Sequence, residues 1–236
     1  MIWLWLICSS ALIGPLFGSS VSGRVELRDS QDSAVSTKKD FGGVVISLSP
    51  AGVETVKLES GRARMVQKNK TFTPHVLAVT TGTVVDFPNF DPIFHSAFSN
   101  YNGQVFDLGL YQPGSTRSVR FSRPGIVRIF CNIHDQMSAI IVVLSSPWFD
   151  VTKQDGTFRI PDVPPGEYRV NVFHERAIPT TLDAATKVIS VGADPVTLPA
   201  IAISESGYLA IPHKNKYGRE YTPPPSDRGL YPTVRK

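Results

Sequence analysis

The sequence predicts an all-β protein built from two Greek-key-type β-sandwiches. Three observations carry this. Apolar residues rarely recur at helical spacing, short runs rich in Val, Ile, Phe and Thr follow one another instead, and Gly, Pro, Asn or Asp separate the runs. The runs include "GRVEL", "GVVISL", "HVLAV", "TVVDF", "SVRF", "IVRIF", "AIIVVL", "GTFRI", "EYRVNVF", "KVISV" and "VTLPAIAI". Spread from Gly23 to Ile203, they exceed what one sandwich uses.

Taken in order, residues 1–20 read as a secretory signal. "MIWLWLICSSALIGPLFG" is short for a membrane span, is broken by Gly14-Pro15 and leads into small residues that suit cleavage near Ser20, although no Lys or Arg precedes it. The expected location is therefore secreted or periplasmic. Cys8 leaves with the leader, and the bulky Ile7 before it speaks against lipid attachment there. Cys131 is then the one cysteine of the mature chain, with no internal disulfide partner.

Residues 21–58 hold two strands, in "SGRVELRDSQ" and "FGGVVISLSPAG". Residues 62–146 hold the first sandwich. Residues 147–206 contain "VTKQDGTFRIPDVPPGEYRVNVFHE", in which Asp155-Gly156 and Pro164-Pro165-Gly166 mark turns between strands. These later strands are too few for a two-layer core. Two arrangements remain open: residues 21–58 complete the later sandwich, making 62–146 an insertion, or they simply begin the first sandwich. Insertion is compatible with exposed turns, where the chain enters and leaves close together. Residues 207–236 carry five prolines and four of the seven tyrosines, which suits an extended segment lying over the body or reaching for a partner, including the cell envelope.

With 42% hydrophobic and 19% charged residues among 236, the chain is neither disordered nor a multi-span membrane protein. The tail from 207 has six Lys or Arg against two Asp or Glu, which equals the whole net charge of +4. A neutral body with a basic tail does not fit a nucleic-acid binder, which needs a basic face on its folded domain.

The chemistry lies in "RIFCNIHDQMSAIIVV". If the strands on either side are neighbours, one short loop presents Cys131, His134 and Met137, and His95 follows another strand in "VVDFPNFDPIFH". A thiolate and two neutral imidazoles with a distant axial thioether describe a type 1 (blue) copper site holding one ion. Zinc gains little from a thioether, iron–sulfur clusters need several thiolates, and the Cys-x-x-Cys-His of c-type haem is absent. Taken singly, a cysteine is often an inert buried residue and a methionine ordinary core. His75 reads as a surface residue near a strand start, and His174 and His213 have no companions in sequence.

Residues 62–144 resemble the cupredoxins of the plastocyanin, pseudoazurin and amicyanin group. "KTFTPHVLAVTTGTVVDFPNFD", His95 and "VRIFCNIHDQM" carry the likeness, and Cys-x-x-His-x-x-Met matches the short ligand loop of the amicyanin type. The resemblance implies His95, Cys131, His134 and Met137 as ligands. It also implies a one-electron carrier with a redox partner protein. Many members have Asn after the first ligand His, where this chain has Ser96. Ser96, Asn89 and Phe130 are the candidates for contacts behind the ligands. The later stretch "DGTFRIPDVPPGEYRVNV" resembles carboxypeptidase regulatory-like, or transthyretin-like, sandwiches, which are usually non-catalytic.

Electron transfer, copper storage or delivery, and a structural module with a vestigial site all use the same residues. Phe94, Phe98, Ile133 and Ala139 are the expected apolar rim around the loop, with the ring edge of His134 near the surface. No His-x-His pair offers a further copper site and no Gly-x-Ser-x-Gly elbow is present, so the expectation is a protein that is not an enzyme by itself.

Overall fold

The computed structural model describes residues 18–52, 56–100, 103–209 and 212–221. The expected leader up to residue 17 and the tail from 222 onward lie outside the described residues. Among these residues no helix is long and apolar enough to cross a membrane.

The chain opens with β1 (Ser19–Arg28), a single helical turn α1 (Ser33–Ser36) capped by the Asp32 carboxylate, and β2 (Val45–Pro50). Ten strands follow: β3 (Arg62–Arg64), β4 (Val66–Lys68), β5 (Thr71–Thr73), β6 (Val76–Thr80), β7 (Val84–Pro88), β8 (His95–Ser99), β9 (Phe106–Tyr111), β10 (Thr116–Arg120), β11 (Gly125–Phe130) and β12 (Ser138–Leu144). The chain continues through β13 (Phe149–Val151), β14 (Thr157–Val163), β15 (Gly166–Phe173), the short helix α2 (Pro179–Ala185), β16 (Lys187–Val191), β17 (Val196–Thr197) and β18 (Ile201–Ser204). The protein is all-β, and every run named from the sequence overlaps a strand.

Pairing sorts the strands into two groups. β1 pairs with β14, β17 and β18, while β2 lies between β13 and β15, with β16 beyond. Between them sits one core of Val21, Val25, Ile46, Leu48, Ile160, Val170, Ile203 and their neighbours. The strands from β3 to β12 pair only with each other among the described residues, in sheets ordered β6-β12-β11-β8-β9 and β10-β7-β3 with a β4-β5 hairpin. They enclose a second core around Met65, Val85, Phe87, Phe121, Ile129 and Ile141. Ser19, near the expected cleavage point, lies in β1 opposite Val163, and its hydroxyl donates to the Asp194 carbonyl at 2.6 Å.

The run "AIIVVL" owes its unbroken apolar character to both faces of β12 being covered. Ala139, Ile141 and Val143 enter the second core. Ile140 and Val142 join Val45 in a third cluster, flanked by Val76, Val151 and Phe173, which seams the two groups together. A strand buried on both sides loses the alternation that marks a half-exposed one. The Asp155-Gly156 turn, expected from sequence, falls between β13 and β14. Gly156 has φ +81°, and a Cβ there would lie 2.2 Å from the Val25 carbonyl oxygen, so only glycine fits.

Candidate metal centre

β11 and β12 are antiparallel neighbours, with Phe130 opposite Ser138, so residues 131–137 form one loop at an end of the second core. The loop is closed by Cys131 N–H donating to the Met137 carbonyl and Met137 N–H donating to the His134 carbonyl, each at 3.1 Å. β8 lies on the other side of β11, with Phe98 opposite Phe130, and His95 is its first residue. Strand order therefore places His95 beside the loop although 35 residues intervene before Cys131.

Cys131 Sγ lies 3.9 Å from His95 Nδ1 and 3.8 Å from His134 Nδ1. All three side chains are buried, His134 at 3% exposure and the other two at 0%. The two imidazole centroids are 4.9 Å apart, edge to face. Bonds of about 2.3 Å to sulfur and 2.0–2.1 Å to nitrogen, spread in a plane, place sulfur and nitrogen about 3.8 Å apart. The donor set fits a soft transition-metal ion held in trigonal fashion. Met137, fully buried, shares the same core.

Electrostatics fit the same reading. Burial pushes the Cys131 thiol up, but His134, His95 and hydrogen bonds from Ser96 and Ile133 outweigh it and hold the thiol down to about 5. The sulfur is a thiolate at neutral pH. His95 loses basicity to burial but gains more from Cys131 and Asp91, ending above its ordinary value.

Behind His95 stands Asp91, which no sequence motif marks. Asp91 accepts from His95 Nε2 at 2.7 Å and from the backbone N–H groups of Asn69 and Lys70 at 2.6 and 2.9 Å. These bonds keep its carboxyl below the usual range against the effect of burial. A carboxylate on Nε2 holds the ring from behind, which leaves Nδ1 as the nitrogen turned toward Cys131 and the one that could serve as a ligand. The signal was in the sequence as Asp91 and His95 four apart in "DPIFH", but that spacing carries no meaning until the connecting loop turns back.

The other candidates divide. Ser96 accepts from Asn132 N–H at 2.8 Å and lies 3.8 Å from Cys131 Sγ, so its hydroxyl does reach the loop after the thiolate. Asn89 does not touch the ligand atoms. Its Oδ1 accepts from Asp91 N–H at 3.0 Å and its amide donates to the Ile93 carbonyl at 2.8 Å, shaping the turn that carries Asp91. Phe130 stacks on His213 at 4.1 Å and meets Phe98 at 5.9 Å. Two expectations are corrected. Phe98 and Ala139 are buried and form no rim, because they lie within strands rather than at the loop, while Phe94 is half-exposed beside exposed Phe90. His134 itself presents almost no surface. His174 and His213 also have companions: His174 meets Glu205 at 2.7 Å, and His213 lies over the 131–137 loop.

No protein-family model matches the chain, and no curated protein matches it. Among solved structures, the chain is similar to a copper-containing nitrite reductase from Thermus scotoductus SA-01, at 26% identity over 41% of this chain and a TM-score of 0.34. This chain spans a quarter of that protein's length. It is also similar to a purple cupredoxin from Nitrosopumilus maritimus (21% identity, 35% of this chain and 99% of that one, TM-score 0.32). A third similarity is to amicyanin from Paracoccus versutus (14% identity, 42% and 97%, TM-score 0.33).

Proposed function

We propose that the protein is a type 1 copper protein of cupredoxin type that carries single electrons. His95, Cys131 and His134 would hold the ion, and Met137, buried in the same core, would supply a thioether. The observation that carries this is the buried trio itself: a resident thiolate with an imidazole nitrogen 3.8–3.9 Å away on each of two sides. Copper, when bound, supplies a one-electron couple. The chain's own residues hold the donors fixed from both ends. Asp91 anchors His95, Ser96 anchors the residue after Cys131, and the Met137–Cys131 bond closes the loop, so little has to reorganise with a change of oxidation state.

The domain reading accompanies this proposal. Residues 62–146 are a cupredoxin domain inserted between residues 21–58 and 147–206, which make up a regulatory-like sandwich. Exclusive pairing of β1 and β2 with later strands supports it. Complete burial of the three donors favours a resident ion over storage or delivery, which needs exchange. A redox partner protein would meet exposed Phe90 and Phe94, the latter next in sequence to His95, rather than His134. Secretion or a periplasmic location, attachment to the envelope through the tail, and the absence of catalytic activity belong to the same proposal.

The test is optical. Addition of Cu(II) to the folded chain gives an intense visible thiolate-to-copper charge-transfer band, and Cys131→Ser abolishes it. Reversible reduction by ascorbate without loss of metal supports a carrier. Colourless protein, or a band that survives Cys131→Ser, overturns the assignment.

A further inference from the structure

We propose that the tail segment 212–221 is an intrinsic clamp on the cysteine loop, with Tyr221 and His213 as positioning residues for Cys131. The segment comes back from the far end of the chain and bonds the loop at three places. Tyr221 Oη donates to the Cys131 carbonyl at 2.7 Å. Lys216 N–H donates to Asn132 Oδ1 at 2.9 Å. His213 Nε2 donates to the Asp135 carbonyl at 2.6 Å, and its Nδ1 lies 3.1 Å from Tyr221 Oη. The His213 ring stacks on Phe130 at 28° and meets Tyr221 edge-on at 5.3 Å, so one aromatic layer joins the end of β11 to the tail.

The segment is braced for this task. Asn215 Oδ1 accepts from the N–H groups of Tyr217 and Arg219, and Asn215 N–H donates to the Arg219 carbonyl, closing a turn. Lys216 Nζ pairs with Asp107 Oδ2 on β9 at 2.7 Å. Within the loop, the Cys131 N–H goes to Met137 and the Asn132 N–H to Ser96. The outward-facing carbonyls of Cys131 and Asp135 take their partners from the tail. A loop that supplies three of four ligands works only if it is held before the ion arrives, and the tail provides that hold.

The clamp rests on the copper reading for one of its two readouts only. In a Cys8→Ser background, the Cys131 thiol of metal-free full-length protein is titrated with an aromatic disulfide reagent, whose rate reports loop opening. Tyr221→Phe removes one hydroxyl and is expected to raise that rate about three- to tenfold, the equivalent of one lost hydrogen bond. A chain ending at Leu209 raises it further, while Tyr217→Phe, on the exposed side of the turn, leaves it unchanged. Circular dichroism and the unfolding midpoint of Tyr221→Phe stay at the parent values. In the copper-loaded protein, Tyr221→Phe keeps the visible band but releases metal to a chelator about tenfold faster, in the range of ligand-supporting contacts. Equal thiol rates in parent, Tyr221→Phe and the shortened chain overturn the clamp, whatever the metal does. Thiol rates that separate as expected in a protein with no copper band support the clamp and remove the copper reading instead.

Discussion

Each half of the molecule ends its apolar core in a cluster of buried histidine with a carboxylate on its Nε2, yet the two clusters differ in what the other nitrogen faces. In the framework half, His174 Nε2 meets Glu205 at 2.7 Å. Arg176 bonds the same carboxylate at 3.0 Å and Ser30 donates to it at 2.5 Å. Arg176 faces Glu205 directly, and among the described residues this cluster brings no three metal-ligating donors together, although His174 Nδ1 has no hydrogen-bond partner. In the other half, the carboxylate of Asp91 stands behind His95, leaving Nδ1 to face a thiolate with a second imidazole beside it. Both histidines give Nε2 to an acid, so whether a buried histidine is a tie or a ligand depends on what faces the remaining Nδ1: a thiolate for His95, no hydrogen-bond partner for His174.

The largest effects test whether these halves are energetically one body. Leu48→Ala and Ile141→Ala each remove a fully buried aliphatic side chain, one from each core. Each is expected to cost about 2–5 kcal/mol in urea unfolding. The apolar seam of Val45, Ile140 and Val142 predicts a single transition. Copper at a thousandfold excess over Kd then restores about 4 kcal/mol to both variants. Rescue of Ile141→Ala alone would show that the cores unfold separately.

A middle-sized effect isolates the wiring. Asp91→Asn keeps the shape but replaces the acid behind His95, and copper affinity is expected to fall about 10–100-fold. Glu205→Gln, the matching change in the framework half, leaves copper affinity untouched. Competitive chelator titration measures both. Equal losses in the two variants would mean that the site responds to general loosening rather than to the bond on His95 Nε2.

These contrasts mark what the sequence made legible. Strand periodicity and turn residues reveal most of the fold, because side chains alternate and Gly or Pro punctuates wherever a sheet edge turns. The Cys131–His134–Met137 loop is legible for a different reason: its spacing is local and its donor types are rare together. β8 and β9 lack the strand periodicity of the other long runs. "HSAFS" is fully buried although three of its five residues are polar, two of them, His95 and Ser96, being part of the site, and "FDLGLY" alternates weakly. Asp91, His213 and Tyr221 were illegible because each acts through a contact that exists only once distant chain is brought back. His213 in particular sits 79 residues beyond His134, in a stretch whose composition reads as an extended tail.

The smallest effect concerns the polar bridge between the halves, where His75 just before β6 meets Glu175 just after β15 at 2.9 Å. The Glu175 bond, opposed by burial, leaves His75 above its ordinary 6.5. Glu175 is driven below its ordinary 4.5, with burial overcome by His75 and Arg176. A raised histidine contributes its full stabilisation below 6.5 and loses it as pH rises through the raised value. A lowered carboxyl contributes fully above 4.5 and loses it as pH falls through the lowered one. The pair therefore stabilises most between 4.5 and 6.5 and fades on both sides. Because His75 is half-exposed, the effect stays under about 1 kcal/mol. His174 runs the other way: burial lowers it, so it favours the fold at higher pH and opposes it as acid protonates the ring. His75→Gln is thus expected to lower the urea midpoint at pH 5.5 and to converge on the parent as the pH is taken well above 6.5. A gap that widens with rising pH would assign the effect to packing at the seam rather than to the ion pair.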